Sequence, residues 1–528
     1  MKRTYRLFLT GMVLALAVNL SFAQDFGDFG DFAESDSFGS EGGFSSTSRL
    51  ETSGSASTDI RVYVEKNDDD EIDIMAKPEG KLDLAYSGNK SDIGLSLCID
   101  ADIIKSHPED IIDELILRGR IGDYLTVEAG KLKVVWGKGD KLHVLDNFNS
   151  DDYSDFIIPD YIDRRISTPM VRAVVSMPVA NLNIEGIYSP LLPTDRFATE
   201  GRWTPAQYTE LTQGATKIVS TNLLGLEHKA NANGAAIADE KNYLEYLTYA
   251  NNLSSNPDSL YPDLWNLKHG QYGLRVLGTA GIVDFGASYY YGWFKQPSVN
   301  YDAYDASVAA MVTNIMSDTT LRTQYGTMKA AGKSDEEIIQ ALAVSQGWQF
   351  ALPTLDYDRK QTFGVEAATV IWHFNVRGEA AFNLTDDVEG TDPWVHNNSI
   401  AWLGGFDIDL PFWNANLNVQ ETGTYILHGD ECDKEIRDVD YSKNGYTNNK
   451  IAANFTASFM NDRIAPELTV MYGIENKDLV LLPKITYKPD QNLSFTASGL
   501  YIWCGDDNSE FKAWENNSFV NIGASYKF

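Results

Sequence analysis

The sequence predicts an all-β fold, a membrane-spanning antiparallel up-and-down β-barrel of about 16–18 strands with partly helical long loops. Three observations predict it. The last ten residues, Phe519 to Phe528, alternate strictly, with Val520, Ile522, Ala524, Tyr526 and Phe528 on one face and Asn521, Gly523, Ser525 and Lys527 on the other. Comparable alternating stretches, each long enough for the roughly 9–11 residues that a tilted membrane strand needs, recur along the chain. No run of about eighteen apolar residues follows position 23, so no helical membrane span is expected.

The chain divides into three parts. Lys2, Arg3 and Arg6 precede an apolar stretch from Leu7 to Val18, and Ser21-Phe22-Ala23 supplies a small-x-small cleavage site before Gln24. Residues 1–23 are therefore expected to be a secretory signal peptide, and with no Cys at the cut no lipoprotein anchor is expected. Residues 24–57 begin with Phe at every third position (Phe26, Phe29, Phe32) and dissolve into Gly and Ser. They bury too little to fold alone and are expected to be a disordered periplasmic leader, with a short plug or a partner-binding peptide as the sharper alternative.

The barrel is expected to occupy 58–528. Candidate strands fall near 58–66, 81–88, 92–100, 114–121, 124–133, 169–178, 181–190, 271–280, 282–294, 361–371, 374–384, 399–410, 414–427, 450–460, 463–474, 478–488, 491–503 and 518–528. That makes eighteen, with sixteen as the alternative because the first few alternate weakly. In the stretch ending at Trp293, Val283, Phe285, Ala287, Tyr289 and Tyr291 make an apolar face that runs into aromatics, as a lipid-facing strand does at an interface. Short turns at Gly122-Asp123, Ala280-Gly281, Trp372-His373 and Asn461-Asp462 alternate with longer segments. The insertions at 191–270, which includes Thr204 to Thr221, and at 295–360 are expected to carry helices near Ala235–Ala250, Ala303–Met316 and Ser334–Val344; Ser334 and Glu337 form a capping box for the last.

The terminal Phe528, with Tyr526 before it and apolar residues at every second position further back, resembles the signal by which bacterial outer-membrane barrels are recognised for assembly. The resemblance implies an outer-membrane location. It also implies contacts with outer-membrane lipid, lipopolysaccharide and the barrel-assembly machinery, and it leaves room for a homotrimer.

The third insertion, 134–168, holds the densest constellation. Lys131 to Asp140 lead through Trp136-Gly137 into Asp146-Asn147 and Asp151-Asp152-Tyr153, followed by Asp155, Asp163, Arg164 and Arg165. About 50 of the 528 residues here resemble a region of an uncharacterised family of Gram-negative outer-membrane channel proteins. A loop this rich in opposed charge, folded inward, would place Asp146, Asp151, Asp152 and Asp155 against Arg164 and Arg165 as a pore constriction. Glu366, Arg377 and Glu379 fall on inward faces of the 361–384 hairpin and join that candidate set. Glu421 and Lys131 land on nominally lipid-facing positions, which predicts bulges or interface sites there.

Composition excludes other classes. With 75 acidic and 43 basic residues, a formal net charge of −32 argues against nucleic-acid partners. A mean hydropathy of −0.28 beside 12% aromatic residues suits strands that are polar inside and apolar outside. Cys98, Cys432 and Cys504 are read as free thiols, and the seven histidines show no zinc spacing, so no metal and no cofactor are expected. The Gly326 to Ser334 stretch misses a phosphate loop by one residue in its glycine spacing, no catalytic elbow appears, and no enzyme is expected. The expected function is porin-like passive diffusion of small polar solutes, with cations favoured. The alternatives are uptake of hydrophobic compounds and a surface barrel whose loops are the functional part.

Overall fold

The computed structural model describes residues 49–66, 70–140, 142–158, 161–234, 264, 266–431, 445–505 and 509–528. The expected signal peptide, most of the expected leader, the expected helix near Ala235–Ala250 and Cys432 lie outside these residues.

Eighteen strands form one antiparallel sheet closed on itself. In chain order they are β1 (Arg49–Tyr63), β2 (Ile74–Ser87), β3 (Ser91–Asp100), β4 (Ile112–Ile121), β5 (Leu125–Leu132), β6 (Thr168–Met177), β7 (Leu182–Ser189), β8 (Gln271–Ala280) and β9 (Val283–Trp293). There follow β10 (Arg359–Ile371), β11 (Phe374–Leu384), β12 (Ser399–Leu410), β13 (Ala415–Ile426), β14 (Thr447–Thr456), β15 (Ile464–Gly473), β16 (Asp478–Tyr487), β17 (Leu493–Cys504) and β18 (Phe519–Lys527). Each pairs with its sequence neighbours. β18 closes the ring on β1, with Ser55 opposite Lys527 and Tyr63 opposite Phe519. Beyond that register, Gly54 and Phe528 exchange backbone hydrogen bonds at 3.0 and 2.9 Å. Closure leaves neither edge of this sheet unpaired.

The starts of the first two strands differ from the sequence expectation, β2 beginning at Ile74 and not near residue 81. The first strand is already formed at Arg49, the first described residue, and not only from residue 58, because residues 49–57 belong to β1 and pair with β2 from Arg49 opposite Ser87 onward. Their Ser, Thr and Gly content hides the alternation that the pairing reveals.

The alternation sorts side chains as a membrane barrel requires. Val520, Ile522, Tyr526 and Phe528 point outward and are exposed, as are Phe363, Val365, Tyr425 and Ile451, whereas Gln420, Thr422, Lys450, Asn454 and Asn521 are buried on the lumen side. Glu421 sits on the outward face, where both carboxylate oxygens accept from the Trp402 indole N–H at 3.2 Å. Lys131 follows Gly130, whose φ is 147° and where a Cβ would meet the Leu115 carbonyl oxygen at 1.9 Å, and the β4–β5 register runs through both without a bulge. Its ammonium bonds Asp110 at 2.9 Å and the Ile112 carbonyl at 2.8 Å.

All connections from an even strand to the next odd one are short, such as 122–124, 281–282 and 372–373, and both ends of the described sheet lie on that side. The other end carries the long loops. Helices at Ala206–Asn233, Asp302–Ser317, Thr319–Ala330 and Asp335–Gln346 bury a core of their own around Ile218, Ile315, Ile338, Leu342 and Phe350. The Asn222 amide pins it by bonding both the carbonyl and the N–H of Phe350, at 2.9 and 2.8 Å. The capping box of Ser334 and Glu337 is formed. Helix Thr319–Ala330 was not expected; Asp318 caps it, but its apolar stripe is weak in sequence.

Candidate functional site

The segment between β5 and β6, residues 133–167, folds into the lumen and is tied to two separate stretches of wall. Its first arm reaches β11–β13. Gly137 turns the chain with φ 120°, and a Cβ there would lie 2.4 Å from Glu379 Oε1. The close approach lets Glu379 accept the backbone N–H groups of Lys138, Gly139 and Val144 at 2.7, 2.6 and 2.9 Å. Beside it Arg377 pairs with Asp140 of the segment and with Asp407 of β12, and the Leu142 N–H donates to Gln420 at 3.3 Å. Glu366 instead receives Arg275 of β8 in a buried pair at 2.7 Å. Of the three wall residues singled out from sequence, Arg377 and Glu379 thus bind the segment, and Glu366 braces the wall next to it.

The segment then returns along its own start. Asn149 closes this fold, donating to the Leu132 and Ile166 carbonyls at 2.8 and 3.0 Å and accepting from the Val134 N–H at 2.8 Å. Trp136 and Phe148, almost wholly buried, meet edge to face with centroids 5.0 Å apart. Ser150 and Asp151 pair antiparallel with Ile166 and Arg165, and Asp152 and Tyr153 pair parallel with Arg196 and Phe197. Arg165 donates to the Val134 carbonyl at 2.6 Å and pairs with Asp146, which also accepts from the Tyr161 hydroxyl. Burial pushes the Asp146 carboxyl above its ordinary range, and Arg165 and His143 only partly offset this. For Arg165, burial opposes the charge but Asp146 more than restores it.

The second arm crosses toward β1 and β2. Asp155 receives Arg61 at 2.6 Å and Lys77 at 2.5 Å, Asp163 receives Lys81 at 2.7 Å, and Asp152 receives Arg196 at 2.7 Å. Phe156 secures this arm by stacking on Trp203, with centroids 4.9 Å and planes 3° apart, and by meeting Trp514 at 5.0 Å. The Arg164 guanidinium lies 5.1 Å above the Tyr153 ring. So Asp152 and Asp155 meet cations of the wall and of residue 196, while Arg165 turns back to Asp146. Tyr526 and Phe528 stand on the outer face of the closing strand, exposed at the short-turn end.

This fold divides the lumen. Along β1–β3 and β15–β18 a space of about 1700 Å³ remains, and on the β9–β13 side one of about 120 Å³ lies above the first arm. Asp152, Asp155 and Arg164 line the larger space, Asp146 and Asp151 the smaller, and Arg165 both. Sequence reading missed Arg61, Lys77, Lys81 and Arg196, which oppose the segment's carboxylates. The alternation Asp59, Arg61, Tyr63 carried the inward signal for the first of them.

Glu79, Cys98 and Asp100, on the wall of the larger space, bring one potential metal ligand each within 4.8 Å of one another. Lys81 Nζ stands 3.5 Å from Glu79 Oε1, so this acidic group is already partly compensated. Cys98 and Cys504 are free and buried.

A closed eighteen-strand sheet, apolar outside and polar within, with short turns at one end and long loops at the other, defines a transmembrane β-barrel of the bacterial outer-membrane type. No family model matches the chain. No curated protein matches it either. Among solved structures it is similar to the outer membrane protein opdK of Pseudomonas aeruginosa (7% identity, 92% of this chain and 100% of that one, TM-score 0.42). It is also similar to OccK11 (OpdR) of the same organism (7% identity, 91% and 96%, TM-score 0.40) and to the outer membrane channel DcaP of Acinetobacter baumannii (9% identity, 91% and 97%, TM-score 0.36). At such scores the likeness bears no weight, and the class rests on the closed sheet and its two faces.

Proposed function

We propose that the chain is a porin-like channel through which small polar solutes cross the outer membrane by diffusion, with a preference for cations. The observation that carries the reading is the polar space of about 1700 Å³ left between the inward segment and the β1–β3 and β15–β18 walls. An eighteen-strand ring is wide enough to keep an aqueous channel beside an inserted loop. Twelve carboxylates and ten Lys or Arg side chains line the space, an acidic excess that favours cations. The facing rows, Asp152, Asp155 and Asp163 on the segment against Arg61, Lys77 and Lys81 on the wall, set a transverse field that orients dipolar solutes. In this reading residues 1–23 direct export, Tyr526 and Phe528 engage the assembly machinery, lipopolysaccharide surrounds the long-loop end, and the barrels associate as trimers.

The test is conductance of the protein refolded in detergent and inserted into a planar bilayer. Stepwise conductance with a cation-selective reversal potential is expected. Insertion without any step would sink the open-channel reading, and an anion-selective potential would sink the preference.

A further inference from the structure

The smaller space has a built wall of buried polar side chains. It opens between the first arm and the long-loop ends of β9, β10, β12 and β13, and its walls carry charges of both signs. Asp146 and Asp151 both line it, both are more than nine-tenths buried, and each keeps its Oδ1 without a hydrogen-bond partner. A buried carboxylate oxygen left bare is costly, so these two oxygens call for a hydrogen-bond donor, the other oxygen of Asp146 already taking Arg165 and Tyr161. Lys295, also buried, lines the same space. Its ammonium donates to the Phe148 carbonyl at 3.2 Å and to the Gln271 side chain, and a third N–H remains to be placed.

We propose that this pocket binds a small zwitterion of amino-acid type, its ammonium group between Asp146 and Asp151 and its carboxylate toward Lys295. Size is compatible with this. A cavity of about 150 Å³ holds a ring of six carbons, so about 120 Å³ admits a solute the size of alanine. The pocket lies beside the larger space and not across it, so occupancy does not require the passage to conduct.

Calorimetric titration of the refolded barrel with L-alanine tests this, with propionate and propylamine as probes that each carry one of the two charges. Saturable binding of alanine, at least about tenfold tighter than either single-charge probe, is expected. Asp151→Asn should weaken alanine about tenfold and leave propionate unchanged, and Lys295→Met should weaken both alanine and propionate. Absence of saturable alanine binding to the unmodified protein, or equal binding of the three probes, overturns the site without reference to any variant. A barrel that conducts but does not bind alanine removes this pocket and leaves the channel; one that binds alanine and shows no conductance does the reverse.

Discussion

Glu379 is the hinge pin of the inward segment, and its removal has a calculable effect. One buried carboxylate on β11 accepts three backbone N–H groups of the segment, from Lys138, Gly139 and Val144. A hydrogen bond to a charged group is worth about 1.5–3 kcal/mol, so three of them would sum to about 4.5–9 kcal/mol if independent. They share one acceptor, and burying that carboxylate has its own desolvation cost, so about 4 kcal/mol is a sounder net figure for Glu379→Ala. At about 1.4 kcal/mol per tenfold, detachment of the first arm becomes roughly a thousandfold more frequent. Single-channel recording should then show excursions above the main conductance level, as the β11–β13 side of the lumen opens. Hydrogen exchange of residues 138, 139 and 144 should accelerate by a similar factor. Glu379→Gln keeps one carbonyl acceptor and should fall between the two. A Glu379→Ala protein whose current noise and exchange rates match the unmodified barrel would refute the anchoring argument.

Other outcomes follow from the same geometry. Gly137→Ala forces a Cβ to within 2.4 Å of Glu379 Oε1 at a φ of 120°, and it should loosen the same arm, read as added current noise. At the far anchor burial would raise the Asp155 carboxyl, but Arg61 and Lys77 outweigh it and hold the group below its ordinary value. A depressed carboxylate contributes its stabilisation in full above the ordinary value of 3.8 and loses it as pH falls through the depressed one. The second arm should therefore stay attached in mild acid and release only below that range, and Asp155→Asn should reproduce the release at neutral pH; a noise profile flat from neutrality to strong acid would contradict this. Phe528→Ala should lower the yield of heat-resistant folded barrel in outer membranes, and an unchanged yield would remove Phe528 from the assembly signal.

The wall of this protein is written in its sequence. Period-two alternation is local: Val520, Ile522 and Tyr526 announce one face of β18 whatever surrounds them, and turn residues such as Gly122 and Gly281 mark where a strand reverses. For that reason the strand count and most strand ends were legible. The start of β1 was not, because Ser53, Gly54, Ser55 and Ser57 carry no apolar rhythm and become a strand only by pairing with β2 and β18. The lumen was legible as a charged loop with inward partners on one hairpin, but not as an arrangement. Glu379 and Lys138 lie 241 residues apart, and Asp155 and Arg61 lie 94 apart. Those pairs exist only because the sheet closes and the segment crosses it. A charge declares its sign in the sequence; its partner is chosen by tertiary distance, and here that choice separates the larger polar space from the smaller pocket beside it.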